Sequence, residues 1–167
     1  MGSGKTSVGW RLARELGYNF LDTDKIIENT EKMAISEIFA KKSEAYFRTL
    51  ETETIKSLQD YDGFVIATGG GIVLKPENVP LLKEIGPIIL LWAEPDTVYE
   101  RVKNDQQRPL LKVADPKKEI VKLLEFRAPF YREAADYIVD TNKKDIDKIA
   151  KEIMGIVKIK GVKDAKN

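Results

Sequence analysis

Apolar residues alternate along the chain between helical spacing and short unbroken runs, and that alternation predicts the order of elements. Val8, Leu12, Ala13 and Leu16 recur a turn apart with Arg11, Arg14 and Glu15 between them, so a helix should end at Gly17. Tyr18 to Leu21 reads as a strand running into Asp22-Thr23-Asp24. Lys25, Ile26, Ile27 and Glu28 then open a helix that Asp24 is placed to cap. Ile35, Ile38 and Phe39 predict a short helix starting at Ser36. Ala45, Phe47, Leu50, Ile55 and Leu58 mark a longer one over Glu44 to Leu58.

The second half repeats the alternation. Phe64-Val65-Ile66-Ala67 reads as a buried parallel strand closed by Thr68-Gly69-Gly70-Gly71, and Pro76 starts a helix through Val79, Leu81, Leu82 and Ile85. Ile88 to Trp92 is a core strand, and Pro95 opens a helix through Val98 and Val102. Asp105 to Val113 loses the period and reads as a loop. Glu119 to Glu133 resumes a helix that Pro129 should bend or restart. Asp136 to Asp140 is the last strand. Ile146, Ile149, Ile153 and Met154 form the closing helix, with a frayed Lys-rich tail after Gly155. Strands alternating with helices predict an α/β fold with a central parallel sheet covered on both faces, in a single domain spanning 1–167.

Composition narrows the chemistry. The 28 Lys and Arg nearly cancel the 27 Asp and Glu to a net charge of +1, which argues against nucleic-acid or membrane affinity, and no apolar run approaches the ~20 residues of a membrane span. With no Cys and no His, thiolate metal sites, disulfides and imidazole catalysis are excluded, and acid–base work falls to carboxylates, lysines or water. No leader precedes the first motif, so a cytoplasmic location is expected.

That motif is Gly2-Ser3-Gly4-Lys5-Thr6-Ser7, most of a phosphate-binding loop at the start of a helix. Two glycines let backbone N–H groups turn inward, Lys5 supplies an ammonium for phosphates, and Thr6 offers a hydroxyl to Mg²⁺. The full pattern places its first glycine upstream of Met1, after a strand. An apolar strand of roughly five residues is therefore expected before Met1. Alone, the motif also reads as a flexible tag or a solvated turn. Asp22 and Asp24 lie two apart at a strand's carboxyl end and so share a face, where ligands of open α/β sheets bind. Arg48 lies one turn from Glu51, an ordinary surface pair if taken alone. The glycines after Ala67 present bare N–H donors, or form a simple turn. No Asp ends that strand to hold a metal, which leaves Asp22 as the nearest replacement.

Taken together, Gly2-Ser3-Gly4-Lys5-Thr6, Asp22-Thr23-Asp24, Phe47-Arg48 with Glu51, Thr68-Gly69-Gly70-Gly71, Arg108-Pro109-Leu110-Leu111 and Arg127 in Arg-Ala-Pro-Phe-Tyr-Arg resemble the shikimate kinases in type and order over nearly the whole chain. The resemblance implies a nucleoside-monophosphate-kinase-like, P-loop three-layer α/β/α fold. It has five parallel strands in the family, a substrate-binding helical segment at roughly 24–60 and a lid at roughly 105–117. It implies transfer of a phosphoryl group from ATP to shikimate, with Mg²⁺, by a monomer. Lys5, Asp24 and Arg108 would be catalytic. Gly2, Ser3, Gly4, Lys5, Thr6, Ser7, Arg101, Arg108, Thr141 and Asn142 would bind ATP, with Arg101 stacked on adenine. Asp24, Arg48, Glu51, Gly70, Gly71 and Arg127 would hold shikimate, and Thr6 and Asp22, the latter through water, would serve the metal. Alternatives are a related small-molecule kinase, such as one for gluconate, or a nucleotide-binding protein impaired by its partial loop.

Overall fold

The computed structural model describes residues 2–103 and 113–159, with the side chains of the last two left aside. The order is α1 (Lys5–Leu16), β1 (Asn19–Asp22), α2 (Thr23–Glu31), α3 (Ile35–Lys41), α4 (Glu44–Ser57), β2 (Phe64–Ala67), a 3-10 turn (Ile72–Leu74), α5 (Asn78–Ile85), β3 (Ile89–Trp92), α6 (Pro95–Val102), α7 (Pro116–Ala134), β4 (Tyr137–Asp140) and α8 (Ile146–Ile159).

The four strands form two parallel pairs. In one, β1 runs beside β2 with Asn19 opposite Phe64 and Asp22 opposite Ala67; in the other, β3 runs beside β4 with Ile89 opposite Tyr137 and Trp92 opposite Asp140. The sequence predicts one central sheet, but among the described residues no ladder joins the pairs. Ser3 and Lys5 sit with Gly69, Gly70, Leu90 and Tyr131 around a cavity between β3 and the glycine turn that follows β2.

Apolar stripes do the assembly. Val8 and Leu12 of α1 meet Leu91, Val139 and the α8 residues Ile149, Ile153 and Val157 in the main cluster, which fixes the phosphate-loop helix against β3 and β4. Val98 and Val102 of α6 pack on Ile120 and Leu124 of α7 beside Ala93. Ile27, Ile38 and Phe47 tie α2, α3 and α4 together, and Ile55, Ile72 and Leu82 tie α4 and α5 to the 3-10 turn.

Several boundaries differ from the sequence expectation, each for a local reason. Asp22, not Asp24, caps α2, accepting the Asp24 N–H at 3.0 Å, because β1 continues to Asp22 and leaves it extended at the helix entrance. The helix expected from Ser36 begins at Ile35, where Glu37 reaches back to the Ala34 N–H at 3.4 Å. Pro76 precedes α5 instead of opening it, because the chain first makes the 3-10 turn, which is pinned by Asn78 Nδ2 donating to the Ile72 carbonyl at 2.8 Å. Helix α7 begins at Pro116, capped by Asp115, and runs through Pro129 unbroken. Pro129 and Glu125, whose carbonyl loses its helical partner there, both lie on the solvent face, where water can serve that carbonyl. Helix α8 continues past Gly155 to Ile159 because its apolar stripe still has Val157 to bury.

Candidate active site

The phosphate loop is set by backbone geometry. Gly2 and Gly4 adopt φ of 62° and 89°, and at Gly4 this left-handed residue is the N-cap that turns the chain into α1. The first turn of α1 carries no acidic residue of its own and Gly4 makes no side-chain cap, which leaves its N–H groups available to an anion.

The register of β1 and β2 ends both strands at the same level, so the Asp22-Thr23-Asp24 segment emerges beside Thr68-Gly69. Asp22 is engaged twice: Oδ1 caps α2 and Oδ2 accepts the Thr6 hydroxyl at 3.1 Å. The freed Asp24 turns inward. Burial, reinforced by the Asp22 carboxylate and opposed by Lys5, raises its pKa above the usual carboxylate value.

From α4, Arg48 donates to Glu51 Oε2 at 2.6 Å through one arm and to Glu44 Oε1 at 2.7 Å through the other. Glu51 is fully buried, and that burial raises its pKa despite the Arg48 hydrogen bond. Gly71 has no room for a side chain because the Arg48 guanidinium lies directly on it. From α7 comes Arg127, also buried.

These residues line one cleft of about 1160 Å³. It gathers the loop from Gly2 to Ser7 with Asp22, Asp24, Arg48, Glu51, Gly70, Gly71, Arg101 and Arg127. Thr141 and Asn142 stand behind its wall. Arg101 donates to the Thr141 hydroxyl at 3.1 Å and carbonyl at 2.8 Å, and the Asn142 side-chain carbonyl accepts the Glu94 N–H at 2.9 Å. Arg108 and most of the expected lid lie outside the described residues. Inside the cleft, Asp24 Oδ1, Glu51 Oε1 and Arg127 Nε are buried with no hydrogen-bond partner. Two acceptors and one cationic donor left in that state are what a polar, anionic ligand would complete.

A family model described as Shikimate kinase matches residues 1–158. The chain belongs to the shikimate kinase family. It is 46% identical to the shikimate kinase of Caldanaerobacter subterraneus subsp. tengcongensis over 162 residues, covering 96% of this chain and 94% of that one. With the shikimate kinase of Thermodesulfovibrio yellowstonii it shares 45% over 154 residues, covering 92% and 88%. Among solved structures, the shikimate kinase from Acinetobacter baumannii in complex with shikimate superposes with a TM-score of 0.92 at 37% identity, covering 98% of this chain and 91% of that one. The shikimate kinase from Aquifex aeolicus gives 0.82 at 36%, covering 97% and 94%. This chain is therefore an enzyme of the kinase class, with ATP as co-substrate, on the P-loop fold of nucleoside-monophosphate kinases.

Thr23 and Tyr131, which bind the glycine turn from outside the cleft, and Lys144, Asp145 and Ile146, which line the cleft itself, are not among the residues that the sequence pattern marks for the site. A turn after β4 was the only signal for the last three, and periodicity carries none for the first two.

Proposed function

We propose that the cleft transfers the γ-phosphoryl group of ATP to a ring hydroxyl of shikimate, releasing ADP and shikimate 3-phosphate. The observation that carries this reading is the trio of buried, unpartnered atoms, Asp24 Oδ1, Glu51 Oε1 and Arg127 Nε, in a cleft that also holds the phosphate loop. Shikimate presents one carboxylate and three hydroxyls, so it needs planar cations and oxygen acceptors together.

Arg127 and Arg48 bind the carboxylate, with Glu51 holding Arg48 at the correct angle through its 2.6 Å bond. Asp24 accepts from the attacking hydroxyl and takes its proton as the O–P bond forms. Its raised pKa makes it a better base than an ordinary carboxylate. Gly70 and Gly71 offer N–H groups to substrate oxygens. Gly2 to Ser7 cradle the phosphates, and Lys5 and Arg108 neutralise charge on the group in transit, where positioning and electrostatics supply most of the rate. Arg101, braced by Thr141 and bordered by the Asn142 turn, lies against the adenine.

The metal fits this donor set. Among the described residues no cluster of three acidic side chains forms a cage, whereas Thr6 and Asp22 supply one hydroxyl and one carboxylate beside the phosphate loop. Mg²⁺ is held in this way when nucleotide phosphates and water complete the shell. It would neutralise phosphate charge when bound. No helix among the described residues is long and apolar enough to cross a membrane. We place the enzyme in the cytoplasm as a monomer without nucleic-acid or membrane partners.

The test is ADP release measured with ATP alone, with shikimate and with gluconate. Shikimate-dependent release supports the assignment. Release that depends on gluconate, or on neither hydroxy acid, overturns it.

A further inference from the structure

The glycine turn after β2 is gripped from two sides by residues that the preceding reading leaves without a role. Thr23, fully buried between Asp22 and Asp24, accepts the Gly69 N–H on its hydroxyl at 3.1 Å. The Tyr131 hydroxyl, one turn beyond Arg127 on α7, donates to the Gly70 carbonyl at 2.7 Å. Within the turn, the Gly69 carbonyl accepts the Ile72 N–H at 3.3 Å and the Gly71 carbonyl accepts the Leu74 N–H at 3.0 Å.

A trans peptide unit is planar, with its carbonyl and N–H on opposite sides, so whatever fixes one residue's carbonyl also fixes the next residue's N–H, aimed the other way. Tyr131 thus sets the direction of the Gly71 N–H. Ile72, by holding the Gly69 carbonyl, sets that of Gly70. Tyr131 borders the smaller cavity behind Gly70 and not the large cleft, whereas Gly70 and Gly71 line both or the large cleft itself. The Gly70 carbonyl is drawn to the rear, and the Gly71 N–H faces forward. Among the described residues, neither the Gly70 nor the Gly71 N–H has a hydrogen-bond partner. The neighbouring peptides have their own bonds, but among the described residues the tyrosine hydroxyl is the one partner of the Gly70–Gly71 peptide. Glycine on both sides of the Gly70–Gly71 peptide removes the steric barrier to a flip, which would turn a carbonyl oxygen toward an anionic ligand.

We infer that Tyr131 is a positioning residue of the acceptor site, which holds the Gly70 carbonyl so that the Gly71 N–H stays aimed into the cleft. The inference rests on the proposed contact of these N–H groups with substrate oxygens. Because Tyr131 and Arg127 share one helix, α7 sets the N–H donor and the guanidinium as a unit. Thr23, from the segment that carries Asp24, instead takes up the Gly69 N–H and so fixes the Thr68–Gly69 peptide at the start of the turn.

Tyr131→Phe removes one oxygen and keeps the ring. The inference expects KM for shikimate, and its dissociation constant by direct titration, to rise about five- to tenfold, the worth of one net hydrogen bond. KM for ATP should stay near wild type, and the thermal midpoint should fall by no more than about 4 °C, the cost of one net hydrogen bond in a chain of this size. Unchanged shikimate binding overturns the inference while leaving the proposed function intact, provided that wild type turns over shikimate. Both KM values rising together with a larger fall in midpoint also overturns it, since that pattern marks a purely structural bond. A wild-type protein that does not bind shikimate removes the proposed function and this inference together.

Discussion

Asp24 Oδ1 and Glu51 Oε1 converge on one point in space, 2.6 and 3.0 Å from where a Cβ on Gly69 would stand, and neither oxygen has a hydrogen-bond donor. Two buried carboxylates on different elements, brought together over a residue with no side chain, are an unfavourable arrangement for the protein alone. Burial raises the pKa of each, and for Glu51 the Asp24 charge adds to the rise.

Asp24→Asn should nearly abolish shikimate-dependent ADP release while leaving ATP binding intact, because the proton acceptor is lost and the phosphate loop is untouched. The same variant should be more stable at neutral pH. The folded pKa of Asp24 lies above its ordinary 3.8, so the folded protein binds that proton more tightly than the unfolded chain. Stability is then lost as pH rises from 3.8 through the folded value. The amide escapes this loss. Thermal midpoints measured across pH should favour the variant at pH 7 and converge with wild type in acid; a lower midpoint at pH 7 contradicts the account.

Gly69→Ala places a methyl carbon 2.6 Å from Asp24 Oδ1, closer than real contacts allow, so the carboxylate must move. Turnover should fall at least tenfold with KM for ATP unchanged, a displacement near 1 Å being enough for losses of that order. Full activity in the alanine variant would show that Asp24 has slack in its position.

Arg127→Lys keeps the charge and loses the planar fork. Shikimate affinity should weaken by the ~1.5–3 kcal/mol of a charge-assisted hydrogen bond, read by titration. An unchanged dissociation constant removes Arg127 from the site.

Asp22→Asn breaks a carboxylate that serves both the Thr6 hydroxyl and the α2 cap. Because asparagine also caps helices well, stability should change little, whereas the Mg²⁺ concentration for half-maximal turnover should rise severalfold. A falling midpoint with an unaltered Mg²⁺ requirement would limit Asp22 to the cap.

Much of this protein was legible in its sequence because its chemistry is local. The Gly2 to Ser7 loop and the Arg48 and Glu51 pair each lie within one turn, where spacing alone fixes relative direction. Asp22 and Asp24 do reach one cleft, but not as alternate residues of a strand, because β1 ends at Asp22 and Asp24 belongs to α2. The order of strands and helices was legible for the same reason, since apolar periodicity is set by each element's own geometry. Tertiary structure decided the rest. Which carboxylate caps α2 depended on where β1 stops, and pairing with β2 through Asp22 and Ala67 decided that. The division of the strands into two pairs follows from hydrogen bonds between distant segments. The bond from Tyr131 to Gly70 spans 61 residues, and that from Gly69 to Thr23 spans 46. A hydroxyl meeting a backbone group leaves no mark on hydrophobic pattern, spacing or charge, so only the packing of α7 and the start of α2 around the glycine turn could bring these groups together.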